Sequence, residues 1–196
     1  MMCSRLRQSA LPVLCAALFA SLSGTLGAQK APNPIVVIET TLGDITIELL
    51  PSQAPKTVEN FLEYVNSGFY GGTIFHRIVS GVMIQGGGLT PQLQRKPTRP
   101  PIKNEANEAI KNNRGTVAAA RLAGVDTATA QFFINTGQNP SFDHTGFLPE
   151  QFGYAVFGRV VAGMDVVDKI DKLQVDARGV PKTLVMIKRA YVKEAQ

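Results

Sequence analysis

The sequence predicts a mainly β, predominantly antiparallel fold with two helices. Three observations carry this. Up to eight short runs read as strands, only two stretches have helical periodicity, and the two kinds of element do not alternate regularly as they would around a parallel sheet. Eight strands are enough to close a barrel whose interior is filled by side chains. The 196 residues make one domain the expectation.

The elements follow in chain order. "NPIVVIETTLGDITIELL" reads as two strands joined at Thr41–Gly43, with Ile45, Ile47 and Leu49 alternating with Asp44, Thr46 and Glu48. A helix comes next. Pro55 suits its first turn, Val58, Phe61, Leu62 and Val65 form one apolar face, and Gly68 can supply a left-handed residue past its end. "FHRIVSGVMIQGG" then reads as two strands with Ser80–Gly81 between them. Residues 88–114 hold four prolines and many polar residues and read as a long loop. Its basic residues Arg95, Lys96, Arg99 and Lys103 are expected in solvent. "GTVAAAR", "AQFFINT" and "YAVFGRVV" read as strands and "NPSFDHTGFLPEQFG" as a loop. "GMDVVDKIDKL" reads as a short helix, with Met164, Val167 and Ile170 at spacing three, and "TLVMIKRAYVKE" as the last strand.

Residues 1–28 differ from the rest. "MMCSRLRQSA" has two arginines and no acid, and "LPVLCAALFASLSGTLGA" is apolar and then small, the pattern of a secretory signal peptide cleaved after Ala28. Residues 29–196 then form the mature domain, with no membrane anchor. Both cysteines, Cys3 and Cys15, leave with the leader, which excludes a disulfide framework or thiolate site in the mature chain. An exported protein is expected, in a periplasm-like compartment or outside the cell. Loss of Arg5 and Arg7 lowers a net charge of +5 by two, too little to favour nucleic acid.

The ordinary apparatus of covalent catalysis is missing. The chain has two histidines, His76 and His144, in no ligand spacing, so no metal is expected. There is no Gly-x-Ser-x-Gly elbow, and "GGG" at 86–88 fits neither a P-loop nor a dinucleotide fingerprint. A binding module remains, or an enzyme that makes and breaks no covalent bond.

"FHRIVSGVMIQGG" closely resembles the signature of the cyclophilins, peptidyl-prolyl cis-trans isomerases. "GDITIELLPSQAPKTVENFLEYVNSGFYGGTIFHR" is similar to the family's first half, and "RGTVAAAR", "AQFFIN" and "FGYAVFGRVVAGMDVVDKI" to its second, so that the resemblance spans about residues 34–194. With the leader and Tyr154 in "GYAVFG", the chain is most similar to exported bacterial members. The resemblance implies a closed eight-stranded antiparallel β-barrel capped by two α-helices, no cofactor, and proline-containing polypeptides, including unfolded exported proteins, as partners. A monomer is the default for one compact domain.

The chemistry accounts for the residue types. Rotation about an Xaa–Pro bond crosses a barrier of about 18–20 kcal/mol, and at the twisted midpoint the prolyl nitrogen regains a lone pair. A fixed donor aimed at that nitrogen binds the transition state better than either ground state. The resemblance gives this role to Arg77, with Gln85 holding the substrate carbonyl side. It implies that Met83, Phe133 and Phe142 line the proline pocket, with His76 at its edge. Main-chain groups near Ala120 and Arg121 pair with the peptide, and Gln131 supports Arg77. Tyr154 stands where many members carry histidine, and either lines the substrate site or only packs beside it.

Several residues depart from the family pattern. Val82, which the resemblance places in the substrate pocket, replaces a usual phenylalanine, so the pocket is expected to lose an aromatic wall, and Ala119 replaces a common methionine. Counting back from Asp143 puts Ser141 at an aromatic position, whereas a shift of one residue gives that position to Phe142. The chain has no tryptophan, the residue that favours tight cyclosporin binding in the family, so the resemblance implies weak cyclosporin binding. Two functions stand: an isomerase acting during folding of exported proteins, and a proline-peptide binding module or holdase chaperone with reduced catalysis.

Overall fold

A computed structural model describes residues 32–194. The expected leader and its cleavage after Ala28 lie outside the described residues. All eight expected strands are present: β1 (Ile35–Thr40), β2 (Gly43–Leu49), β3 (Ile74–Val79), β4 (Met83–Gly86), β5 (Thr116–Ala119), β6 (Phe132–Asn135), β7 (Val156–Ala162) and β8 (Val185–Lys193). They form a closed antiparallel barrel in the order β1-β2-β7-β5-β6-β4-β3-β8. Closure pairs every strand on both sides and leaves no sheet edge to attract another chain. Helix α1 (Pro55–Asn66) packs on β7 and β8, and helix α2 (Met164–Asp171) on β2, β3 and β4.

The apolar face predicted for α1 is the buried one, Val58, Phe61 and Val65 included, joined by Tyr64. Its C-terminus is closed as the sequence suggested. Gly68 takes φ +68°, its N–H donates to the Val65 carbonyl, and the Phe69 N–H donates to that of Tyr64. The Phe69 and Tyr64 rings then meet at 4.7 Å, the apolar contact that accompanies such a stop. The N-terminus is capped from a distance. Ala54 offers no side-chain acceptor, and the Glu105 carboxylate takes the Lys56 and Thr57 N–H groups at 3.1 and 2.7 Å. A negative group here also complements the helix dipole.

The 88–114 loop is therefore less free than its composition suggests. Lys96 donates to the Phe69 carbonyl and lies over the Phe69 ring, and Arg99 pairs with Glu63. Of the four basic side chains expected in solvent, these two are tied to the protein, and Arg114 at the end of the loop is also held, by the Thr136 carbonyl and Asp168.

The barrel interior is filled by alternate strand residues, among them Ile38, Ile47, Ile84, Val117, Ile134 and Ile187. An aromatic group of Phe61, Tyr70, Phe75, Phe132 and Phe157 packs with them. A second apolar cluster, Met83, Ala118, Ala120, Phe133 and Val156, lies on the opposite faces of β4, β5, β6 and β7. Both faces of these strands are thus apolar, which explains why β6 is buried at every position.

Candidate active site

The second cluster forms the floor of the site. Along β6, Phe132 and Ile134 enter the barrel core, while Phe133 belongs to the outer cluster. The same period of two on β4 sends Ile84 inward and puts Met83 and Gln85 on the outer side. On β3 the alternation is broken. Phe75 and Ile78 are both core residues. Phe75 pairs with Gly86 and Arg77 with Gln85, so one extra residue, His76, is inserted in β3. This bulge turns Arg77 out to face Gln85; without it, the parity set by Phe75 would drive a guanidinium into the barrel.

Arg77, Met83, Gln85, Ala120, Arg121, Phe133, Phe142 and Tyr154 line one cavity of about 60 Å³. Three rings make its wall: Phe133 to Phe142 at 5.6 Å, Phe133 to Tyr154 at 5.3 Å and Phe142 to Tyr154 at 5.2 Å, all edge to face. Phe142 thus supplies the aromatic wall, and Ser141 is exposed. Tyr154 lines the cavity rather than merely packing behind it. Val82 lines no part of it; it packs against the outer cluster, and its carbonyl accepts the Thr136 N–H and the Asn139 side chain, both at 2.9 Å.

A polar relay crosses the mouth. Arg77 Nη1 donates to Gln85 Oε1 at 3.4 Å, and Gln85 Nε2 donates to Gln131 Oε1 at 2.9 Å. Gln131 therefore holds Gln85, and reaches Arg77 only through it. Gly88 makes room for this: a Cβ there would lie 2.4 Å from Gln131 Cγ. The third glycine of "GGG" thus serves a close approach.

A larger hollow of about 380 Å³ adjoins the first and shares Gln85, Ala120 and Arg121 with it; His76, Arg95 and Gln131 are also in its lining. Arg95 is exposed, as expected, and also forms part of this wall. The Ala120 N–H is committed to the Gln131 carbonyl at 3.0 Å, so peptide pairing at this edge falls to other main-chain groups. The Arg121 side chain holds four carbonyls, those of Leu122, Ala123, Pro149 and Gly153. Among the described residues no group of three His, Cys, Asp or Glu could hold a metal ion, and no helix is long and apolar enough to cross a membrane.

His76 Nδ1 is buried without a hydrogen-bond partner. Burial, then the positive charges of Arg77 and Arg95, hold its imidazole below the ordinary value of 6.5. In the unfolded chain this histidine takes up its proton near pH 6.5, whereas in the folded protein it does so only at lower pH. Its contribution is complete above about pH 6.5 and is lost as pH falls below it. Thermal melts from pH 7.5 to 5.5 are expected to show falling stability, and His76→Gln is expected to flatten that fall. An unchanged slope in the variant would contradict this assignment. The lowered carboxylates Glu39, Glu48, Asp165 and Asp176 act in a separate window, below their ordinary values of about 4.

Both the sequence and the closed-barrel fold have matches among known proteins. Residues 35–192 match the family described as cyclophilin type peptidyl-prolyl cis-trans isomerase/CLD. The chain is 47% identical over 161 residues to peptidyl-prolyl cis-trans isomerase A of Dickeya dadantii, covering 80% of this chain and 83% of that protein. It is 48% identical over 164 residues to peptidyl-prolyl cis-trans isomerase B of Escherichia coli, covering 82% of this chain and all of the relative. A crystal structure of a Cryptosporidium parvum cyclophilin type isomerase, determined in the presence of the dipeptide Ala-Pro, superposes with TM-score 0.72 at 28% identity. That match covers 82% of this chain and 99% of the other. The chain belongs to the cyclophilin-type peptidyl-prolyl cis-trans isomerase family.

Proposed function

We propose that the protein accelerates rotation about Xaa–Pro bonds, and that its substrates are exported proteins that are still folding. The observation that carries the catalytic part is the Arg77–Gln85–Gln131 relay at the mouth of the Phe133–Phe142–Tyr154 pocket. The proline ring enters the aromatic pocket with Met83 beside it. Gln85, its amide fixed by Gln131, holds the carbonyl side of the bond. As the bond twists, the prolyl nitrogen loses amide resonance and gains a lone pair, to which the Arg77 guanidinium donates. This hydrogen bond exists only near the transition state, so it lowers the barrier without tightening ground-state binding. No atom of the substrate gains or loses a proton.

Export is supported by the charged, apolar and then small pattern of residues 1–28, and by the absence of cysteine from residues 29–196. The mature protein acts as a monomer in a periplasm-like compartment. Two measurements test this part. N-terminal sequencing of the protein recovered from cells is expected to begin at Gln29. Refolding of an exported protein limited by proline isomerisation is expected to speed up when the mature protein is added. Recovery of the uncleaved chain, or unchanged refolding, would contradict the proposal.

The pocket also sets an inhibitor expectation. Its wall offers phenyl and phenol rings but no indole, since the chain lacks tryptophan. Weak cyclosporin binding is expected by calorimetry, and a submicromolar Kd would overturn it.

A further inference from the structure

Two loops beside the substrate groove expose large apolar side chains. Phe147 is 86% exposed, Leu148 55% and Leu122 62%. A single exposed leucine needs no explanation, but three large apolar residues on adjoining loops do. The loops are held rather than loose. The Thr145 N–H donates to the Gln151 carbonyl and the Gln151 N–H to that of Leu148, both at 2.9 Å. The Phe147 and Phe152 rings pack on His144 at 5.5 and 5.1 Å.

One guanidinium joins the two loops to each other and to the site. Arg121 donates to Pro149 and Gly153 carbonyls at 3.1 and 3.0 Å on one loop, and to Leu122 and Ala123 carbonyls at 3.2 and 3.3 Å on the other. It also lies over the Tyr154 ring at 5.0 Å and lines both cavities. Arg121 is therefore a positioning residue whose donors are spent on fixing this edge. The exposed side chains border the site through this guanidinium: Leu122 lines the larger hollow, and Leu148 immediately precedes Pro149, whose carbonyl is held by the same Arg121 that binds the Leu122 carbonyl.

We propose that Leu122, Phe147 and Leu148 form an apolar rim that binds side chains flanking the substrate proline. The enzyme would then select prolines embedded in apolar sequence, which a client exposes only before it has folded. The inference rests on the reading of the adjoining pocket as the proline site. Its occupant is an unfolded polypeptide, because Leu122 lines the hollow beside the proline pocket and Arg121, which lines both cavities, also holds the loop that carries Phe147 and Leu148.

The test uses fluorescein-labelled ten-residue peptides with one central proline, flanked either by leucines or by serines, and reads affinity by anisotropy. The mature protein is expected to bind the leucine peptide about tenfold tighter, the scale of burying one large apolar side chain. In the F147S/L148S double variant, and separately in L122S, that ratio is expected to fall towards one; melting curves check that each variant is folded. Equal affinity of the wild type for both peptides, or a ratio unchanged in folded variants, would overturn the rim. So would sedimentation showing that the patch is covered by a second copy of the chain. Isomerisation of the same peptides tests the pocket separately: preferential binding without catalysis upholds the rim and refutes the isomerase reading, and catalysis without preference does the reverse.

Discussion

Arg77→Ala is expected to lower kcat/KM for a proline peptide by about 10²–10³, the usual cost of removing one donor aimed at developing charge. The loss should fall on kcat, with peptide affinity little changed, because the ground-state amide nitrogen has no lone pair to offer the guanidinium. Arg77 is exposed in β3 and shares one hydrogen bond, to Gln85. Its removal opens no core cavity, and folding should survive. Single-turnover exchange kinetics with melting curves check all three points. If kcat is retained, or if affinity falls as far as the rate, the assigned role is wrong. Equal, slow exchange in wild type and variant with peptide still bound would instead leave a proline-peptide binding module.

Phe132→Ala is expected to destabilise the protein by about 3–5 kcal/mol, as large aromatic deletions in packed cores do. Its ring is 1% exposed and meets Phe61 and Tyr70 at 5.6 Å and Phe75 at 6.0 Å, each edge on. The neighbouring Phe133→Ala should behave in the opposite manner. Its ring touches Phe142 and Tyr154 at the site, so kcat/KM should drop by about tenfold or more through the lost apolar contact with proline, and stability should fall less than in Phe132→Ala. Denaturant titration and peptide kinetics on the two variants check the contrast. Similar effects of both on stability and rate would mean that β6 does not divide core from site in this way.

That contrast shows where the sequence was legible. The strands and helices could be read because alternation and 3.6-residue periodicity are local, as in Ile45–Leu49 and Val58–Val65. "FFIN" could not be divided into inner and outer residues, because both faces of β6 are covered and the usual polar half of the pattern is missing. The outward turn of Arg77 depends on a bulge at His76, which is visible only in the pairing with β4. The Glu105 cap on α1 joins residues 48 positions apart, and the choice between Ser141 and Phe142 as the aromatic wall is likewise made by tertiary contacts. Resemblance to the cyclophilins named most of the site, but not the route from Gln131 to Arg77 through Gln85, nor the Arg121 side chain as the clamp between two loops.

The central claim is that Arg77 lowers the rotational barrier by hydrogen bonding alone, with no proton transferred. Its most direct test is NMR exchange of a saturating Xaa–Pro peptide on the mature protein in light and in heavy water. The account predicts exchange far faster than the uncatalysed tens of seconds, and nearly the same rate in both solvents. Absence of acceleration with peptide bound, or exchange several-fold slower in heavy water, would contradict it.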